Sequence, residues 1–159
     1  MKQTDMVRDS RRGFVKLAGG AAALAAAGFG GVVHAQQPAW NKAAFEAKNL
    51  AEMMKALGGG NAAESADITI TAPDIAENGA VVPVGVTSKV PGTQAVYILV
   101  DKNPNVLAAS FNIPQGTEAN VATRLKMGQT SDVLALVKAN DKYFVAKKEV
   151  KVTLGGCGG

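Results

Sequence analysis

The single cysteine of the chain, Cys157, stands in the run Gly155-Gly156-Cys157-Gly158-Gly159. Glycine on both sides removes all neighbouring bulk and gives the backbone its widest freedom, so the sulfur is exposed on a slim tether. A cysteine kept for packing would lie in an apolar stretch and be inert. With no second cysteine to resolve a mixed disulfide, a thioredoxin-like redox cycle does not fit. The nearest cationic residue in sequence is Lys151, so nothing local obviously lowers the thiol from its ordinary pKa of ~8.5. Activation must come from whatever site the thiol enters. The chemistry that remains is covalent carriage, in which the thiol accepts a group in one site, bears it and presents it to the next.

The elements that must position this arm follow from hydrophobic period. Between 38 and 57, Trp40, Ala43, Ala44, Ala47, Leu50, Ala51, Met54 and Leu57 fall on one helical face, and Gly58-Gly59-Gly60 ends the run. The opposite face mixes Lys42, Glu46, Lys48, Glu52 and Lys55. That favours packing on the protein's own body over docking to a membrane surface. From Asp67 onward the period becomes two. Runs at 68–71, 81–87, 95–100, 106–113, 120–127, 132–139 and 143–154 are separated by turn signals such as Asn78-Gly79, Pro91-Gly92 and Asn103-Pro104. About seven strands at this spacing predict an all-β sandwich. The run Val96-Tyr97-Ile98-Leu99-Val100 is apolar on both faces, which predicts a central strand covered on both sides, by the helix or by a partner subunit. Val150, Val152 and Leu154 alternate with Lys151 and Thr153, so the last strand leads almost directly into the glycine run. From Leu154, Cys157 would reach ~10 Å beyond the body.

At the other end, Arg11 and Arg12 precede Phe14 and an uncharged stretch from Leu17 to Val33, and Val33-His34-Ala35 offers small residues at a cleavage site. This describes a bacterial twin-arginine export signal. The stretch is short of the ~20 strongly apolar residues that a membrane span prefers, and it carries Gly19, Gly20, Gly28, Gly30 and Gly31. The expected mature chain begins at Gln36, lies in the periplasm and keeps no membrane segment. The formal net charge of +4 belongs largely to the signal, and the lysines left are scattered, so no basic stripe suited to nucleic acid remains. His34, the one histidine, leaves with the signal. Without an imidazole, Ser-His-Asp and Cys-His catalysis are excluded, and a zinc site would have to be built from carboxylates and one thiolate. No cofactor, no metal and no enzymatic activity of its own are expected.

The run Val150-Lys151-Val152-Thr153-Leu154-Gly155-Gly156-Cys157-Gly158-Gly159 resembles the ending of the SoxY family, the sulfur-carrier subunits of the bacterial thiosulfate-oxidising system. The resemblance continues through 71–84, through Asp101-Lys102-Asn103-Pro104-Asn105 and through Thr123-Arg124-Leu125-Lys126-Met127. With the export signal it covers essentially the whole chain. Two turns depart from the family pattern: Val106 follows Asn105 where a second proline is expected, and Asn140-Asp141-Lys142 has no glycine. The resemblance implies an immunoglobulin-like sandwich that pairs with a SoxZ-like subunit. It implies covalent sulfur adducts on Cys157, with Gly155, Gly156, Gly158 and Gly159 as flexible links. By the same resemblance SoxAX, a haem enzyme, joins thiosulfate to the thiol. SoxB, a metal-dependent hydrolase, then releases sulfate, and in some organisms SoxCD oxidises the remaining sulfane sulfur.

The expected organisation is a cleaved signal at 1–35, a helical segment at 36–60, a sandwich domain at 61–154 and a carrier arm at 155–159. The principal alternative is an immunoglobulin-like structural or interaction module dimerising through an intermolecular disulfide at Cys157, since an odd exported cysteine can pair between chains. A terminal thiocarboxylate would need ATP-dependent adenylation and would leave Cys157 unexplained. A cysteine third from the end does not fit prenylation.

Overall fold

The computed structural model describes residues 41–153. Nine strands and two short helices appear there. The helices are α1 (Lys42–Glu46) and α2 (Leu50–Ala56). The strands are β1 (Ala63–Glu64), β2 (Ile68–Thr71), β3 (Ile75–Ala76), β4 (Val82–Ser88), β5 (Thr93–Val100), β6 (Leu107–Asn112), β7 (Ala119–Leu125), β8 (Ser131–Ala139) and β9 (Lys142–Val152). They form two sheets. The larger has the order β1-β9-β8-β5-β6, with β3 also paired to β9, and the smaller has the order β2-β4-β7. The fold is an all-β, immunoglobulin-like sandwich. Each of the seven expected strands is present within a residue or two at most ends. The two extra ones, β1 and β3, are two residues long, too short to show a period, and both run parallel to β9. Among the described residues no helix is long and apolar enough to cross a membrane.

The central strands of the larger sheet, β5 and β8, are covered on both faces, as the doubly apolar run predicted. Val96, Ile98 and Val100 of β5 and Val133, Ala135 and Val137 of β8 pack toward the smaller sheet with Val82, Val84, Val86 and Leu125. Leu99 and Leu136 turn the other way, into a second core with Ala44, Ala47, Met53 and Met54 of the helical segment. Burying each valine, leucine, isoleucine or methionine among them stabilises the fold by roughly 1.5–3 kcal/mol, an upper estimate because the unfolded chain already hides some apolar surface.

The helical segment differs from the single helix expected over 38–57. It breaks at Ala47, whose backbone is extended (ψ 138), and restarts behind Asn49. The Asn49 side chain accepts from the Glu52 N–H at 2.9 Å, while the Glu52 carboxylate accepts from the Lys48 N–H at 2.8 Å. This is a variant of the capping box in which the Glu52 carboxylate reaches back to the residue before the cap: a mid-helix Asn competes for backbone donors and opens a new N-terminus. The break shifts the phase of the second helix. Met53 therefore becomes fully buried while Ala51, expected on the inner face, stays exposed; Ala43, expected there too, is exposed on the first helix. The segment ends as expected at the glycine run. The Gly58 N–H donates to the Lys55 carbonyl and the Gly59 N–H to the Met54 carbonyl, the paired bonds of a Schellman cap with Gly58 at φ +67.

The turn between β8 and β9 shows how a hairpin without glycine closes. Ala139 pairs with Lys142, leaving Asn140 and Asp141 as a two-residue turn with φ of 48 and 60. Both central residues are left-handed, as a type I′ turn requires, and Asn and Asp are the side chains that tolerate that region best. The Asn140 side-chain amide also donates to the Pro91 carbonyl at 3.2 Å, tying this turn to its neighbour.

Candidate functional site

The site predicted from sequence, Cys157 with Gly155, Gly156, Gly158 and Gly159, lies outside the described residues, as do Arg11 and Arg12 of the export signal. The structure describes the root from which the cysteine-bearing segment departs. Strand β9 was expected to continue to 154, but its pairing ends at Val152, and Thr153 is the last described residue. Cys157 is four residues past Thr153, so a fully extended chain carries it at most about 14 Å from that point.

The root is held from both sides. Pairing of β9 with β8 ends at Ser131↔Val150. Beyond it Lys151 and Val152 pair with Ile75 and Ala76 of β3. The Lys151 N–H donates to the Asp74 carbonyl at 3.0 Å and the Thr153 N–H to the Ala76 carbonyl at 3.1 Å. On the opposite side the Val152 N–H donates to the Thr130 hydroxyl at 3.0 Å. Val150 is fully buried and Val152 packs partly buried against the sandwich core. Every backbone donor from Lys151 to Thr153 is thus occupied, and the strand is fixed up to its last residue.

The loop 77–81 closes over the same point. Gly79 accepts from the Met127 N–H at 2.7 Å. A Cβ built on Gly79 would sit 2.4 Å from the Met127 carbonyl oxygen and 2.8 Å from Cγ1 of Val152. Only glycine fits there, which gives the expected Asn78-Gly79 turn a tertiary reason as well as a local one. Neighbouring loops are tied down too. The Asn103 amide donates to the Lys126 carbonyl at 2.8 Å, and the buried Ser131 hydroxyl accepts from the Lys102 N–H at 3.0 Å. Lys148 reaches over the β9 edge to Asp74 at 3.0 Å and to the Ala72 carbonyl at 2.6 Å, so the segment 72–76 is held to β9 by side chains as well as by strand pairing.

Among the described residues no group of three histidine, cysteine, aspartate or glutamate side chains is placed to hold a metal. Among the described residues the one side chain with a resolved titration shift is Tyr97, raised by burial and further by Tyr143, and it packs toward the helical segment rather than at the end of β9. What sequence reasoning missed is β3, the short parallel strand that grips the root. Its only signal was Ile75-Ala76 between the turn residues Pro73-Asp74 and Asn78-Gly79.

Comparison with known proteins bears on this architecture. The family model described as sulfur oxidation protein SoxY matches residues 53–157. Among solved structures, that of the sulfur carrier protein SoxY from Chlorobium limicola f thiosulfatophilum superposes with a TM-score of 0.59 at 36% identity, covering 64% of this chain and 93% of that one. A structure of the superantigen toxic shock syndrome toxin-1 aligns at a TM-score of 0.39 and 10% identity, covering 54% of this chain and 99% of that one, too low to carry an argument. A search of curated proteins returns no significant match. The matched span takes in the end of the second helix, the whole sandwich, the clamped root and the residue at 157: the chain belongs to the SoxY family of sulfur oxidation proteins.

Proposed function

We propose that this protein is a non-catalytic covalent carrier in thiosulfate oxidation, with Cys157 as the attachment point. The observation that carries the reading is the extent of the family match, which runs through the sandwich and ends at residue 157. The clamped β9 root supports it, because a rigid base converts a short glycine-flanked segment into an arm of defined reach. In this reading Gly155, Gly156, Gly158 and Gly159 supply the slim backbone that enters a narrow cleft, at the entropic cost of fixing glycine when it docks.

The chemistry balances on one sulfur atom. The Cys157 thiol and thiosulfate join through a new sulfur–sulfur bond, losing one proton and two electrons to the haem enzyme SoxAX, and leave an S-thiosulfonate. Water then attacks the terminal sulfone group in SoxB, breaking its bond to the sulfane sulfur. Sulfate and a proton leave, and the thiol becomes a persulfide. SoxCD, where present, oxidises that sulfane sulfur. A thiol suits this role because sulfur forms and releases bonds to sulfur readily, which a hydroxyl does not. A SoxZ-like subunit completes the carrier as a heterodimer. Export through the Arg11-Arg12 signal places the cycle in the periplasm.

Intact-mass spectrometry of the protein isolated from cells fed thiosulfate tests the reading. Additions of thiosulfate-derived sulfur are expected on the peptide holding Cys157, removable by reductant and missing in Cys157→Ser. Thiosulfate oxidation that persists in cells carrying only Cys157→Ser would refute attachment through the thiol.

A further inference from the structure

The large hydrophobic side chains exposed among the described residues are Ile75 (56%) and Val81 (51%). Single exposed apolar residues are ordinary on a protein surface, but both of these fall on the segment 72–81 that wraps the end of β9. Ile75 is paired in register with Lys151. Val81 lies two residues past Gly79, the glycine packed against Val152, and its N–H is held by the Asn78 carbonyl at 3.3 Å. Ile75 sits on a paired strand and Val81 on a hydrogen-bonded turn, so neither needs ordering on contact, which lowers the cost of binding through them.

Chain geometry says what meets them. If Cys157 is where cargo is attached, the partner's reacting groups must come within about 14 Å of Thr153, the most that four residues can span. A cleft deep enough to surround the thiol then brings its rim against the body beside residue 153. The surface there is the segment 72–81, and the side chains it offers outward include Ile75 and Val81.

We propose that Ile75 and Val81 form an apolar grip on the rim of the enzyme clefts that receive Cys157, and that the partner presents apolar side chains at that rim. This rests on the carrier reading of Cys157. The grip holds the body while the arm inserts, so it governs capture of the carrier and leaves the chemical step alone. Docking removes the exposed part of both aliphatic side chains from water, and their joint replacement by serine is expected to weaken capture roughly ten- to a hundredfold.

The test loads the full heterodimer with tetrathionate, in which the thiolate displaces thiosulfate and becomes the S-thiosulfonate, and follows sulfate release by purified SoxB. For Ile75→Ser/Val81→Ser the expected result is a KM at least about tenfold higher with kcat unchanged. The melting temperature and the rate of Cys157 alkylation by N-ethylmaleimide should match the wild type, and Ile75→Val/Val81→Ile should behave as wild type. A KM within about threefold of wild type, or a fall confined to kcat, overturns the proposal. So does a wild-type homodimer, or the heterodimer itself, that the double serine variant dissociates, since the patch would then bind a second copy or the SoxZ-like subunit. Cys157→Ser run in parallel separates the two readings. If it releases no sulfate while the double serine variant is normal, the grip alone fails; if it releases sulfate normally, the carrier reading itself fails.

Discussion

Replacing Gly79 by alanine tests whether the end of β9 is clamped as described. The added methyl carbon would lie 2.4 Å from the Met127 carbonyl oxygen and 2.8 Å from Cγ1 of Val152. The valine methyl can yield by rotation, but the carbonyl belongs to backbone whose own N–H donates to Gly79 at 2.7 Å. Relieving the clash therefore separates the loop from Met127 and weakens that hydrogen bond. Overpacking of this kind costs about 1–3 kcal/mol, and a weakened backbone bond adds roughly 1 kcal/mol. A loss of about 2–4 kcal/mol corresponds to a drop of about 8–16 °C in Tm for a domain of this size. Thermal unfolding followed by circular dichroism measures it. Adding Val152→Ala should return only part of the loss, because the contact with the carbonyl remains. If Gly79→Ala melts within about 2 °C of wild type, the loop is not seated on β9 and the clamped root is wrong.

Two further outcomes follow from the fold. Asp141→Gly should raise stability by about 0.5–1 kcal/mol, read as a higher urea midpoint, because Asp141 sits at φ 60 where glycine is unstrained; the exposed Lys138–Asp141 pair at 3.5 Å that it removes contributes little. Tyr97 holds its proton above the ordinary phenol value of 10.0 because burial, and then Tyr143, disfavour the phenolate. The unfolded chain releases that proton first, so stability is intact below pH 10 and falls as the pH rises through the raised folded value. Urea unfolding from pH 9 to 11.5 should show a shallower alkaline decline in Tyr97→Phe, and an unchanged slope would refute the assignment.

The strands long enough to repeat a period were legible because alternation over four or more residues records which face is buried. The doubly apolar stretch at 96–100 announced a strand covered on both sides, and the helical segment is what covers its outer face. The helix break was also written in the sequence, as Asn49-x-x-Glu52, but a continuous apolar face over 38–57 outweighed a cap signal in its middle. Met53 could be placed in the core only after that break reset the phase. Strand β1 had no local signature and β3 only an apolar pair between turns, because two residues gain strand geometry only from the partner edge that β9 offers them.

Sequence alone determined that the one cysteine lies among glycines, that no histidine or second cysteine accompanies it in the expected mature chain, and that paired arginines precede the body. These are matters of residue identity and spacing, which need no fold to be read. Only the tertiary structure decided how the end of β9 is fixed, by bringing Ala76 and Gly79 from one segment and Thr130 from another, both far from 150–153 along the chain, around Val152 and Thr153. The reason is that a clamp is made of contacts between segments remote in sequence, and no local pattern encodes them.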